Sequence, residues 1–457
     1  MRLELAPPDA HELIQEVNVS ALRAEHVYKV FGRRSAEAIK RLKAGKTRDE
    51  VKPLGTAAVI DASFEVNQGE TFVVMGLSGS GKSTLIRTLN GLLPPSAGTI
   101  SIDGTDISNV SPSELRDIRR KKISMVFQHF ALLPHRTVLD NAAYPLEIQG
   151  VDKAERRKRA AEALGMTGLA GWEDSLPSQL SGGMQQRVGL ARALAADTEI
   201  LLMDEAFSAL DPLIRREMQD QLVELQTTLG KTIIFITHDL NEAMYLGDRI
   251  AVMRDGRIVQ IGTAEKILTE PADDYVTKFV ADVDRSRVLT AGSLMVRPTV
   301  TVSLAGGPAL ALREMRGAQA SAAYVIDRRR VLHGSVYDDE LVAANRKGAE
   351  TLDGLVHPDT SAVTAETPLA EMFAPAAEAR LPLCVLDDGG RLLGVVPRVA
   401  LLEAMAPVGA DSASSGASAH SAASPEDAPD AMLPMVTTPA EGATTIGAPA
   451  TTDGGAR

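Results

Sequence analysis

The residues Gly76–Thr84, reading Gly-Leu-Ser-Gly-Ser-Gly-Lys-Ser-Thr, restrict what this chain can fold into more than any other stretch. They fill the fixed places of G-x-x-x-x-G-K-[ST] with Gly76, Gly81, Lys82 and Ser83, between an apolar run at Thr71–Met75 and a helix-prone segment from Leu85 to Leu93. Strand, glycine-rich loop and helix in that order make a phosphate cradle. The glycines let the loop, with Ser78, Gly79 and Ser80, turn its backbone N–H groups around a polyphosphate. Lys82 reaches the β- and γ-phosphates, and Ser83, next to Thr84, is placed to ligate Mg²⁺ at a helix N-terminus that favours anions. The motif predicts an α/β fold and a nucleotide. It leaves the reaction open, because kinases, GTPases, ATPases and transporters all use it.

Further candidates follow along the chain. Ala24–Phe31 alternates like a strand and stops at Gly32; a charged, helix-prone segment, 33–52, precedes a second strand expected at Ala57–Val66. The apolar strand Ile123–Phe127 ends at Gln128, which taken alone is an ordinary loop residue. Leu180-Ser181-Gly182-Gly183-Met184-Gln185 opens a helix and offers free N–H groups beside a hydroxyl. Glu199–Glu205 reads as a strand buried on both faces and ends in two carboxylates, Asp204 and Glu205. Acidic residues after a strand are commonly caps; here Asp204 is placed to join the Mg²⁺ shell and Glu205 to polarise a water. Ser208–Asp211, a long helix at Pro212–Leu229 and the strand Thr232–Thr237 follow, the last delivering His238.

This order of motifs resembles the nucleotide-binding subunit of an ABC transporter over about residues 24–285. The resemblance implies ATP hydrolysis by a homodimer, each ATP lying between the phosphate loop of one subunit and Ser181, Gly182, Gly183 and Gln185 of the other, with Asp211 nearby. It implies Glu205 as general base, His238 on the γ-phosphate, and Gln128 as γ-phosphate sensor and Mg²⁺ neighbour. Phe31 takes the position of the adenine-stacking aromatic, with Tyr28 as fallback. Integral membrane permease subunits, touched by the loop Pro134–Asn141, and a periplasmic or extracellular substrate-binding protein complete the implied assembly. The segments Val126-Phe-Gln128 and Met203–Ile214 are similar to those of the quaternary-amine branch, which imports glycine betaine and L-proline. Choline, carnitine or another compatible solute is the rival cargo. A soluble ABC ATPase outside transport is a rival class, as is a nucleotide sensor of weak turnover.

After about residue 286 the chain repeats with an offset of 60: Pro298 and Pro358, Asp327 and Asp387, Gly334 and Gly394, Leu341 and Leu401. Each unit reads as helix, strand, turn, strand, helix, and the pair, 286–346 and 347–406, resembles tandem CBS modules. Such modules are usually regulatory, through ionic strength or a nucleotide. At the positions where adenosine-binding relatives carry Thr or Ser and Asp, this chain has Tyr337 and Glu340, then Pro397 and Ala400. That disfavours an AMP-type ligand and leaves a cyclic dinucleotide, or anionic lipid at the turn Arg328-Arg329-Arg330. The stretch 407–457, rich in Ala, Ser, Thr, Gly and Pro, is expected to be disordered, and 1–23 forms a lead-in.

The formal net charge of -12 offers no global attraction to a nucleic acid polymer, and one cysteine, Cys384, suits a reducing compartment as a buried thiol. With no signal-like start and no apolar run of membrane-spanning length, the expected location is the cytoplasmic face of the cell membrane, held there by partners. The expected whole is thus a phosphate-loop ABC-type ATPase domain with a helical subdomain and a charged insert at 33–56, then an α+β tandem CBS pair and a tail.

Overall fold

The computed structural model describes residues 20–405 except His129 and Asp282; most of the expected lead-in and the whole expected tail lie outside them. Strand β1 (Ser20–Phe31) ends where Gly32 takes φ +130°. The charged insert then forms two helices, α1 (Ser35–Lys43) and α2 (Arg48–Val51). Only one face of α1 is apolar, and it buries Ala38, Ile39 and Leu42 with Tyr28 and Val30 of β1. Thr47 and Glu50 close a capping box that starts α2. Strand β2 (Thr56–Asn67) returns antiparallel to β1, so the insert is an excursion between neighbouring strands.

Next come β3 (Thr71–Met75), α3 (Lys82–Leu89), β4 (Ala97–Ile102) and β5 (Thr105–Asp106), which completes the sheet β2-β1-β4-β5. Helix α4 (Pro112–Lys122) buries no residue and leads into β6 (Ile123–Val126). Helices α5 (Val138–Ile148), α6 (Lys153–Met166) and α7 (Gly182–Ala195) form the helical subdomain; alanines at 142, 143, 160, 163 and 191 let them approach closely. The chain continues through β7 (Ile200–Asp204), α8 (Pro212–Leu229), β8 (Thr232–Thr237), α9 (Leu240–Leu246), β9 (Arg249–Arg254) and β10 (Arg257–Gly262), then α10 (Ala264–Thr269) and α11 (Asp274–Phe279).

The second sheet runs β10-β9-β3-β8-β7-β6, parallel except for edge strand β10. Every residue of β3, β7 and β8 is buried, because helices cover one face and the first sheet the other. Phe64 and Phe72 stack at 5.1 Å between the two sheets. Strands β3, β8, β7 and β6 are neighbours and point the same way. Their C-terminal loops, carrying Gly76, His238, Asp204-Glu205 and Gln128, therefore gather at one edge.

Beyond α12 (Ala291–Leu294) the repeat gives β11 (Thr301–Ser303), α13 (Pro308–Gly317), β12 (Ala322–Ile326), β13 (Leu332–Tyr337) and α14 (Asp338–Arg346). Its second copy is β14 (Ala362–Thr364), α15 (Leu369–Glu378), β15 (Leu383–Leu386), β16 (Leu392–Val396) and α16 (Arg398–Met405). Each copy opens with a short strand that the sequence reading omits. Three residues are too few to show alternation, yet β11 and β14 pair in parallel with β12 and β15.

Packing crosses the division at residue 346. Leu289, Ala291, Leu294 and Met295 join the core of the second copy, while Leu352, Leu355 and Val356 join the core of the first. Bridges Val296–Val395 and Ser335–His357 fix this exchange. Val288 packs on the ATPase core and the very next residue, Leu289, on the core of the second copy. Arg330 is not a free cation of the basic turn: its guanidinium donates to Leu392 O at 2.9 Å, across the two hairpins. Cys384 is buried, and burial pushes its thiol up to about 12.

Candidate functional site

The phosphate loop is shaped by its neighbours as much as by its own composition. A Cβ at Gly76 (φ +151°) would collide with the carbonyl oxygen of Met253, and one at Gly81 (φ +107°) with that of Ala58. Only glycine fits where these backbones meet. Gly81 is also the residue that starts α3, so the N–H groups of Lys82, Ser83 and Thr84 stand free at a helix N-terminus. Lys82 is 4% exposed; its ammonium donates to Gly76 O at 2.8 Å and Leu77 O at 3.2 Å. Burial pulls its pKa down, and the nearby carboxylates of Glu205 and Asp204 oppose that shift. The Ser80 hydroxyl is buried without a hydrogen-bond partner. A cleft of about 330 Å³ is lined by Phe31, Arg48, Thr56, Ala58, Ser78, Gly79, Gly81, Lys82, Ser83, Thr84 and Glu205.

At the adjacent strand ends, Glu205 is the centre of a polar cluster. One of its carboxylate oxygens accepts from Gln128 Nε2 at 3.1 Å and lies 3.3 Å from His238 Nδ1. Glu205 sits at φ +47°, a left-handed conformation rare for a side chain of this size, held by its N–H to Ile236 O at 3.0 Å. Asp204 is 3% exposed; Oδ2 lies 3.5 Å from Arg87, and Oδ1 is buried without a partner. An unpaired hard oxygen beside a phosphate loop fits Mg²⁺, which takes one or two side-chain oxygens and completes its shell with water and phosphate. Ser83, which lines the phosphate-loop cleft, supplies a second side-chain oxygen.

The other expected residues lie elsewhere. Ser181 caps α7 by accepting from Met184 N at 3.3 Å, and a Cβ on Gly183 would press on Ile214 Cγ2 at 2.7 Å. The Gln185 amide donates to Pro177 O and Leu180 O and holds the turn before α7. Asp211 caps α8 by accepting from Ile214 N at 3.1 Å. None of these lines the phosphate-loop cleft, so one chain does not bring them together. Phe31, 42% exposed with Lys29 5.2 Å above its ring, does line the cleft. Tyr28, the fallback, is 4% exposed beneath α1 and unavailable.

In the C-terminal pair, Tyr337 and Glu340 are engaged by the chain itself. His357 Nε2 lies 2.7 Å from Glu340 Oε2, and its ring meets Tyr337 edge-on at 5.3 Å.

Arg48 and Arg87 belong to the site but escape the sequence reading. The Thr47–Glu50 capping box is the signal that fixes Arg48 at the start of a helix; nothing local marks Arg87.

The sequence model of the ABC transporter family matches residues 59–208, a span that holds the phosphate loop, Gln128, Ser181–Gln185 and Asp204-Glu205. Over 390 residues, 84% of this chain and 92% of the relative, the sequence is 53% identical to the glycine betaine transport ATP-binding protein OpuAA of Bacillus subtilis. It is 50% identical over 389 residues, 85% of this chain and 98% of the relative, to the glycine betaine/carnitine transport ATP-binding protein GbuA of Listeria monocytogenes. To the glycine betaine/proline betaine transport ATP-binding protein ProV of Escherichia coli it is 46% identical over 389 residues, 84% of this chain and 97% of that one. Identity of this extent over nearly whole chains, with the phosphate loop and the Glu205 cluster at one sheet edge, leaves one conclusion: the chain belongs to the ABC transporter family, as an ATP-binding, ATP-hydrolysing subunit.

Proposed function

We propose that this chain energises the import of glycine betaine or a proline-type betaine by binding and hydrolysing ATP. The observation that carries the chemistry is the shared Glu205 oxygen, met by Gln128 and His238 beside the phosphate loop. The cargo is supported by the relatives, which are glycine betaine transport ATP-binding proteins. Identity to the choline transport ATP-binding protein OpuBA of Bacillus subtilis is 36%, which favours betaine over choline.

In this reading Glu205 takes the proton of the attacking water as general base, and Gln128 and His238 hold its carboxylate in place and sense the γ-phosphate. Lys82 and the α3 N-terminus hold the β- and γ-phosphates. Mg²⁺, held by Ser83 and Asp204, would supply neutralisation of phosphate charge. Because Ser181–Gly183 and Asp211 lie away from the cleft, a second copy contributes them, and the closed dimer exists only while ATP bridges the two. Hydrolysis then releases the interface.

A groove of about 740 Å³ between α4, β6, α5 and α7, lined by Arg119, Phe127, Ala131, Tyr144, Ile148 and Arg192, suits a helix of a permease subunit. The expected contact loop, 134–141, lies between two groove-lining stretches and is pinned by the Asn141 amide to Leu133, Arg136 and Thr137. A substrate-binding protein delivers the cargo from outside. No helix among the described residues is long and apolar enough to cross a membrane, so attachment rests on the permease. The C-terminal pair regulates activity, as its likeness to CBS modules suggests.

The test is ATP-driven uptake of radiolabelled glycine betaine into vesicles carrying this chain with the permease encoded beside it. Saturable uptake that competes poorly with choline is expected. ATP hydrolysis with choline or carnitine uptake instead would replace the cargo, and hydrolysis without any uptake would remove transport.

A further inference from the structure

We propose that the helical insert between β1 and β2 forms the outer wall of the nucleotide site, and that its Arg48 binds the α-phosphate of the nucleotide. The inference deepens the ATP reading of the cleft and rests on it. Phe31, Arg48, Thr56, Ala58, Ser78, Gly79 and Lys82–Thr84 line one and the same cleft. A nucleotide with its base on Phe31 and its terminal phosphates at Lys82 spans this cleft, and among the described residues Arg48 is the one cationic residue of its lining besides Lys82.

The geometry of Arg48 suits this task. Its place is fixed by the Thr47–Glu50 capping box, in which Lys46 and Thr47 hold the Glu50 carboxyl down at about 2, so the box stays charged at any working pH. Nε donates to Ala57 O at 3.0 Å and anchors the stem. The head is held far more loosely: both terminal nitrogens lie 3.4 Å from Gly79 O, and Nη1 lies 3.5 Å from Asp255 Oδ1. These separations exceed an ordinary N–H···O bond. Asp255 is exposed (67% at its side chain), so solvent screens its hold. A guanidinium carries five N–H donors in a planar fork that matches phosphate, and here most of that capacity is weakly used. The same head touches the Gly79 carbonyl, so a phosphate that takes Arg48 also fixes the turn of the phosphate loop.

Equilibrium binding of ATP, ADP and AMP to the full chain, together with steady-state hydrolysis, tests the assignment. Arg48→Ala is expected to bind all three about tenfold more weakly, the size of one hydrogen bond to a charged group. The kcat should stay within about twofold of wild type, because the α-phosphate is held alike in ground and transition states. Arg41→Ala, which removes only the exposed pair with Glu37 in the same insert, should bind as wild type does. Should Arg48→Ala melt below the assay temperature, Arg48→Gln keeps the stem and an amide donor and is read the same way. Affinity within about twofold of wild type, or a fall in kcat with KM unchanged, overturns the proposal. Wild-type chain that binds no ATP would instead remove the nucleotide reading beneath it.

Discussion

The ATPase core and the C-terminal pair are both small sheets backed by helices, yet they treat their polar groups in opposite ways. At the phosphate loop, Asp204 Oδ1 and Ser80 Oγ are buried without partners, and Glu205 is held in a left-handed conformation. Each of these costs stability unless something else satisfies it. At Tyr337 and Glu340 of the C-terminal pair, His357 already supplies the contacts. The contrast holds at these two places only, since Gln186 and Thr360 also bury polar atoms without partners and lie at neither. The difference locates the chemistry in the first region.

The largest effect should come from removing the carboxylate at the centre of the cluster beside the phosphate loop. Glu205→Gln keeps the size and the contact to His238 but loses the base, and turnover is expected to fall by roughly 10²–10⁴ while ATP binding persists. Turnover near wild type in a phosphate-release assay would break the comparison at its strong end. An intermediate effect tests the other side. His357→Ala removes the chain's own occupant, and because the pair with Glu340 is half exposed, stability should drop by less than about 1 kcal/mol. ATP turnover of the full chain should stay within about twofold; a loss comparable to that of Glu205→Gln would mean that this cluster belongs to the catalytic site. The smallest effect concerns closure of the pair. With its pKa pushed up to about 12 and its side chain buried, Cys384 should resist a thiol reagent at pH 8 in the folded chain and react at once in denaturant. Prompt labelling of native protein would show that the pair opens readily.

Much of the core was legible because its signals are local. The run from Met203 to Leu229 announces a buried strand, two carboxylates, an Asp cap and a helix, and β7 and α8 follow within a residue. The glycines of the phosphate loop told of phosphate, but their collisions with Met253 and Ala58 depend on strands far away in sequence. For the same reason nothing in the neighbours of Gln185 says that its amide is taken by the Pro177 and Leu180 carbonyls. Tyr28 and Phe31 stand three residues apart, and only the packing of α1 buries the first and spares the second. In the C-terminal pair the offset of 60 gave two copies, whereas the exchange of lead-in segments between them is a tertiary fact that no period encodes.

That exchange has a mechanical meaning. The chain leaves the ATPase at Val288 and is built into the farther copy at Leu289, with no slack residue between. The nearer copy meets the farther one through Val356 and the Ser335–His357 bridge. The joint is thus a crank rather than a tether in its geometry: any displacement of Val288 reaches the copy most distant along the sequence before the one beside it. Lengthening the joint by a few flexible residues should leave both parts folded and free that copy from the ATPase core.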